Sequence, residues 1–413
     1  MNDDSRPAYH HVCASSGCAC DGSLNRRDWL RLTALSGAAL TPLLRAGDAR
    51  AQATASGDPP VRIGYLPITD ATPLLVAHAR KGFEAEGLRT EAPRLFRSWA
   101  QLVEAFIAGQ VNVIHLLSPA TLWLRYGSKF PAKVVAWNHV NGSALTVAHD
   151  VNQLTDLGGR TVAIPFWYSV HNVVLQRLLR EQKLEPVSRP RDAALKPNEV
   201  NLVVLAPAEM VSALAGKSIA GYIVAEPFNA AAEQLKVGKV LRFVGDVWRD
   251  HACCLLTLSE RDVAERPKWA QSVTNAVVKA QLWARSNQLE TAKLLAKDGE
   301  GRYTPHALPV LSKVLAATDY TEYERAGIVR HKDWLQRRID FQPYPFPSYT
   351  EALVKALKTT QVEGDNRFLD TLDPAFAAKD LVDDRFVRQA IASVGGAGKF
   401  GLPAALTRTE VFG

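Results

Sequence analysis

Ser169 and His171 stand two residues apart, where a short apolar run ends and a helical pattern begins. Ahead of them Gly158-Gly159 make a turn, and Arg160 to Pro165 form a stretch rich in β-branched residues. Behind them Val170, Val173, Val174 and Leu178 recur at helical spacing. The pattern predicts strand, loop, helix, with Ser169 as the N-cap. A helix N-terminus presents unpaired N–H groups and the positive end of its dipole, so the chemistry on offer is anion binding, with His171 facing the same space. A Ser-His nucleophile pair is not supported there, because residues two apart on a helix do not face each other.

Metal-ligand residue types gather at one place, His10-His11-Val12-Cys13-Ala14-Ser15-Ser16-Gly17-Cys18-Ala19-Cys20. That cluster lies in a leader expected to be lost on export. If the leader is retained, its thiols could bind Zn²⁺ or an iron cluster before export. The remaining cysteines, Cys253 and Cys254, are adjacent; a disulfide between neighbours is strained, so both are expected to be free, buried thiols. The scattered Asp and Glu lack metal spacing, and no catalytic constellation stands out. The expectation is a non-enzyme with no cofactor and no metal in the exported chain.

The elements that must position these groups come from a chain of 413 residues, 47% hydrophobic and 22% charged, enough for two α/β lobes and a helical extension. Its first 53 residues stand apart. Asn25-Arg26-Arg27-Asp28-Trp29-Leu30 is a twin-arginine pair, followed by a weakly apolar run from Leu32 to Leu44 and the small-x-small pattern Ala51-Gln52-Ala53. This resembles a Tat export signal and predicts a periplasmic protein starting near Thr54. Nothing later in the chain offers the roughly 18 apolar residues of a membrane span. Net charge is +7, or +6 without the leader, and is spread out with no basic run, which argues against nucleic acid as a partner.

From Val61 the chain alternates strand and helix. Val61 to Leu66 is a strand, and Thr69-Asp70-Ala71-Thr72-Pro73 opens a helix with Asp70 or Thr72 as a possible cap and Gly82 as its stop. Then come a strand near Leu88 to Phe96, a helix from Trp99 stopped by Gly109, a strand through His115, a helix after Ser118-Pro119 and a strand from Lys133 to Trp137. Ala144 to Ala148 is a further strand. A linker with Pro186, Pro190 and Pro197 precedes strand Val200 to Leu205, helix Pro207 to Leu214 and strand Ile219 to Val224; Glu226-Pro227-Phe228 opens another helix. Leu255 to Leu258 returns to the first lobe, and the rest is mostly helical. Alternation of this kind implies parallel βαβ packing. The division is 1–53 leader, 54–145 first lobe, 146–254 second lobe, and 255–413 return plus helical extension, with hinges near Ala144 to Val151 and Arg249 to Leu258.

These landmarks resemble the type II periplasmic-binding-protein fold, in the nitrate, sulfonate and bicarbonate branch of ABC-transporter solute-binding proteins. The carriers are Gly64-Tyr65-Leu66-Pro67-Ile68-Thr69-Asp70, Ser98-Trp99, Val111-Asn112-Val113-Ile114-His115, Asn141-Gly142, the Leu157 to Pro165 run, His171-Asn172, Ala220 to Phe228, and Trp248 to Cys254. The resemblance implies that Trp99 covers an anion, that His171 donates to it, and that Ser143 stands where nitrate binders have Gln. Where nitrate binders carry a Lys near the interlobe return, and bicarbonate binders an acidic residue, this chain has Cys254. It further implies an inner-membrane ABC permease as partner and a monomer, while the twin-arginine pattern implies the Tat machinery for export.

The resulting candidate site is Thr69, Asp70, Trp99, Asn141, Gly142, Ser143, Ser169, His171, Glu226 and His251. Each has a structural alternative: core packing for Trp99, helix capping for Asp70, Glu226 and His171, and a satisfied interlobe position for His251. His115 reads as structural. A small oxyanion would use neutral donors such as Thr69, Ser143 and His171, whereas Tyr65, Trp99, Trp137, Phe166, Trp167 and Tyr168 would wall a sulfonated or heteroaromatic ligand. The competing class is a thiamine-pyrimidine-synthase-like enzyme, or a binder of a pyrimidine precursor, which the same fold includes.

Overall fold

A computed structural model describes residues 57–413, apart from 191–192, 318 and 335–336. The twin-arginine pair, the cleavage pattern and the cluster from His10 to Cys20 lie outside the described residues. The first sheet takes β1 (Ile63–Tyr65), β2 (Arg94–Leu95), β3 (Val113–Leu117) and β4 (Ala132–Trp137). The chain crosses through β5 (Val140–Asn141) into a second sheet of β6 (Ser143–Val147), β7 (Arg160–Ile164), β8 (Glu185–Val187), β9 (Glu199–Val204), β10 (Gly221–Ala225) and β11 (Lys239–Phe243). It returns as β12 (Cys254–Ser259), and β13 (Ile339–Asp340) later pairs with β5. Strand order is β2-β1-β3-β12-β4 in one sheet and β11-β6-β10-β7-β9-β8 in the other. The strands that carry the chain between sheets, β6 and β12, run antiparallel to their neighbours.

The sheet changes therefore fall at residues 138–142 and 244–253. Ser143 to Leu145 pair within the second sheet and Cys254 within the first, a few residues from the boundaries read off the sequence. Helices fill the connections: α1 (Thr72–Ala79), α2 (Trp99–Ile107) and α3 (Val170–Glu181) among them, and α4 (Pro267–Ser286) after β12. On α4 Trp269, Val273, Ala276, Val277, Ala280 and Ala284 recur every three or four residues and are buried, the spacing of a helix with one face on a core. α1 packs against it.

Several local readings change. α1 starts from Ala71 with no side-chain cap, so neither Asp70 nor Thr72 caps it, although Pro73 occupies its first turn. Gly82 does not end it: the helix stops at Ala79, Lys81 takes φ 55°, and Gly82 opens a short second helix. The proline-rich linker contributes the edge strand β8, where Pro186 costs little because one side of an edge strand is unpaired. β11 and β13 were not foreseen.

The turn ahead of β7 is tight. A Cβ on Gly158 would stand 2.1 Å from the carbonyl oxygen of Pro197, a backbone atom that cannot swing aside. Gly158→Ala is expected to cost about 1–3 kcal/mol. A urea midpoint equal to that of the parent chain would show that the loop gives way instead.

The C-terminal region joins both lobes. Trp137 lies edge-on to Phe346 and Tyr349, with ring centroids 5.6 and 5.1 Å away. On the other lobe Asn172 and Gln176 of α3 donate to the carbonyl of Gln361 at 3.0 and 2.7 Å, and the Gln361 amide donates back to Gln176 Oε1 at 2.8 Å. Between these points Arg338, fully buried, pairs with Glu226 Oε1 at 2.5 Å and Glu233 Oε2 at 3.2 Å, both in the second lobe. Among the described residues no helix is long and apolar enough to cross a membrane.

Candidate functional site

One edge of the first sheet collects the reactive side chains. β1 runs out into a single turn, Thr69–Ala71, that carries Asp70 inward. β3 holds His115, β4 ends at Trp137 with Asn138-His139 following, and β12, antiparallel to both, begins at that same edge with Cys254. Asp70, His115, His139, Cys253 and Cys254 are all fully buried, and both cysteines are free thiols. The second lobe brings the N-terminus of α3 against them. Ser169 accepts from the Asn172 amide at 3.1 Å and donates to the Phe166 carbonyl at 2.7 Å, so it is the cap expected from the pattern. His171 Nε2 lies 2.9 Å from Ser143 Oγ and 3.8 Å from Cys253 Sγ.

His139 Nε2 is 2.9 Å from Asp70 Oδ2, close enough for an ion pair but not aligned as a hydrogen bond, and the Cys254 amide stands 3.3 Å from the same nitrogen. Burial opposes both charges, yet their mutual attraction wins: the Asp70 carboxyl is held down at about 2 and His139 is pushed up to about 10. At His115 and His251 the pull of the Asp70 carboxylate is too weak to offset burial. Burial, the dominant influence, takes each down to about 3, so both are neutral at physiological pH. Burial also raises the Cys254 thiol, while the hydrogen bond from Cys254 and the nearby imidazoles outweigh burial at Cys253 and draw its thiol down.

Buried polar atoms without a hydrogen-bond partner concentrate here: Trp99 Nε1, Asp70 Oδ1, the Nδ1 atoms of His115, His139 and His171, and His251 Nε2. Such atoms cost free energy unless something pairs with them, and their density marks a place built to hold a polar ligand. Trp99 joins the group through His115, its ring edge-on with centroids 5.4 Å apart.

The fold thus brings together Asp70, Trp99, Ser143 and His171, with His251 buried nearby and its Nδ1 3.2 Å from the Trp248 carbonyl. Others are taken up elsewhere. The Thr69 hydroxyl donates to the Glu226 carbonyl at 3.1 Å, so it offers no spare proton. Asn141 and Gly142, at φ 62° and 76°, shape the crossover, where the Gly142 amide donates to the Arg338 carbonyl at 2.7 Å. Glu226 accepts from the Ala230 amide at 3.1 Å as well as pairing with Arg338, which makes it a structural anchor. The sequence does not single out His139, and it marks the two cysteines only as free, buried thiols, as they are. The signal was available in principle, since ligand-binding residues of open α/β sheets collect beyond the carboxyl ends of strands.

Two mixed sheets linked by two crossovers, with a polar site closed between them, define a periplasmic-binding-protein fold. The chain belongs to the NMT1-like family, whose model matches residues 54–297. It is 22% identical over 311 residues to the nitrate/nitrite binding protein NrtA of Nostoc sp., covering 70% of this chain and 68% of that one. It is also 28% identical over 231 residues to the nitrate import ATP-binding protein NrtC of Synechocystis sp.; that match covers 53% of this chain and only 34% of NrtC. Among solved structures, the periplasmic nitrate-binding protein NrtA from Synechocystis PCC 6803 superposes with a TM-score of 0.70 at 18% identity, covering 85% of this chain and 93% of that one.

Proposed function

We propose that this chain is the extracytoplasmic substrate-binding component of an ABC importer, closing its two lobes on a small oxyanion or sulfonate-type solute and delivering it to a membrane permease. The observation that carries the reading is the set of buried, unpartnered polar atoms at the lobe contact, Trp99 Nε1 and His171 Nδ1 foremost. An indole N–H, an imidazole and the Ser143 hydroxyl beside it are hydrogen-bonding partners of the sort that replace water around a dehydrated anion. The two crossovers supply the place for hinge motion. The likeness to binding and import proteins supports the same reading, with an ATP-driven permease as partner and a periplasmic location; the proposal adds export through the twin-arginine signal and a monomeric state. Nothing in those likenesses favours the pyrimidine-synthase-like alternative.

The test is a thermal-shift screen of the purified chain against nitrate, nitrite, bicarbonate, taurine, alkyl and aryl sulfonates, and pyrimidine precursors. A ligand that binds only the native state adds about 2.7 kcal/mol at a hundredfold excess over its Kd. Stabilisation by one anion or sulfonate class is expected. Stabilisation by the pyrimidine precursors alone, or by none of these, would overturn the proposal.

A further inference from the structure

Asp70, His139, Cys253 and Cys254 each point one ligand atom into a common space, with all four atoms within 4.8 Å of one another. Two sulfurs, an imidazole nitrogen and a carboxylate oxygen around one ion would stand about 3.3–3.8 Å apart at ordinary zinc–ligand distances. The cluster is therefore already close to that spacing, and small side-chain movements would complete it. We propose that these four residues form a tetrahedral site for a borderline-soft divalent cation of the Zn²⁺ class. The inference stands apart from the importer reading and does not depend on which solute the lobes enclose.

Three features argue for an ion here. The donor set mixes thiolate, imidazole and carboxylate, which suits Zn²⁺ and its neighbours and not the hard, oxygen-seeking Ca²⁺ or Mg²⁺. Asp70 is wholly buried, with the His139 ring 2.9 Å away as its counter-charge and neither oxygen in an aligned hydrogen bond, so a cation would supply partners that its oxygens lack. A second layer is also in place. His171 Nε2 approaches Cys253 Sγ at 3.8 Å, a contact that would orient this ligand around the metal. Metal binding displaces whatever protons these ligands carry, so uptake weakens as pH falls. All four residues are inaccessible in the closed molecule, and two of them, His139 and Cys253, sit on the crossovers, with Cys254 opening β12; the ion must enter while the lobes are apart.

The test uses the full chain with the leader thiols removed (Cys13→Ser, Cys18→Ser, Cys20→Ser), so that Cys253 and Cys254 are the remaining thiols. Under reducing conditions, with no anionic solute added, Co²⁺ should give a thiolate-to-metal charge-transfer band and the visible bands of tetrahedral cobalt, and Zn²⁺ should bleach both. His139→Gln and Cys254→Ser should each weaken Zn²⁺ binding by at least about tenfold against a chelating indicator. Absence of the charge-transfer band in the leader variant would overturn the proposal. So would a band and a Zn²⁺ affinity that His139→Gln leaves unchanged. Should Cys254→Ser fail to fold, the leader variant and His139→Gln still decide the matter.

Discussion

Arg338→Met is expected to lower folding stability by about 3–5 kcal/mol, because it strands Glu226 as a buried carboxylate with no counter-charge. The size follows from where the pair sits: the Arg338 side chain is 1% exposed and that of Glu226 is wholly buried. Glu233 suffers less, since Lys313 stands 3.0 Å away as a second partner. The loss should depend on pH in a definite direction. Burial is the main influence on Glu226 and raises its pKa above the ordinary 4.5 even with Arg338 present; without the guanidinium nothing of comparable weight opposes burial. A carboxyl whose pKa is higher folded than unfolded binds its proton more tightly in the native state, so stability falls as pH rises through 4.5 and beyond. The deficit of the variant should be small near about pH 4 and complete at neutral pH, read from urea unfolding of both chains. An equal deficit at both values would show that lost packing against Phe243 and Tyr323 accounts for it.

Trp99→Phe and His171→Ala should each weaken ligand binding at least tenfold, about 1.4 kcal/mol, while leaving the fold intact. Phenylalanine keeps an aromatic ring against His115 and removes the indole N–H, which has no other partner, with a smaller loss of volume than alanine would bring. That separates a lost ligand contact from the cavity that alanine would open at this buried position. At His171 the retained Ser169 cap holds α3 in register, so the loss is confined to the imidazole. Calorimetric titration with the solute identified by the screen gives the affinities, and circular dichroism checks the fold. Parent-like affinity in both variants would remove the lobe contact as the binding place.

The architecture was legible where hydrophobic period and punctuation agree. β7, the Ser169 cap and α3 follow from Gly158-Gly159, a β-branched run and helical spacing, and the return strand β12 from Leu255 to Leu258. Gly82 misled because a lysine can take the left-handed conformation that usually signals glycine, and Lys81 does so at φ 55°. The site was less legible for a topological reason. Asp70, His139 and Cys254 are far apart along the chain, and only the order β1-β3-β12-β4, with β12 inserted antiparallel, sets their strand ends together. No local pattern announces that insertion. Thr69 and Glu226, by contrast, have the right residue types in the right loops, and only the hydrogen bonds reveal that other partners already occupy them.

The C-terminal region touches both lobes, through Trp137 on one side and through α3 and Glu226 on the other. Separating the lobes must either rupture these buried links or drag the segment along with the second lobe. The contacts that are broken on opening oppose it, and so lower the fraction of time spent open. Capture under that regime is gated: the association rate equals the encounter rate multiplied by the fraction of time spent open, and the apparent Kd carries the same factor. Under the importer reading, Gln176→Ala, which removes the polar clasp to Gln361, would raise that fraction and speed uptake and release together, from a segment outside the candidate ligand site.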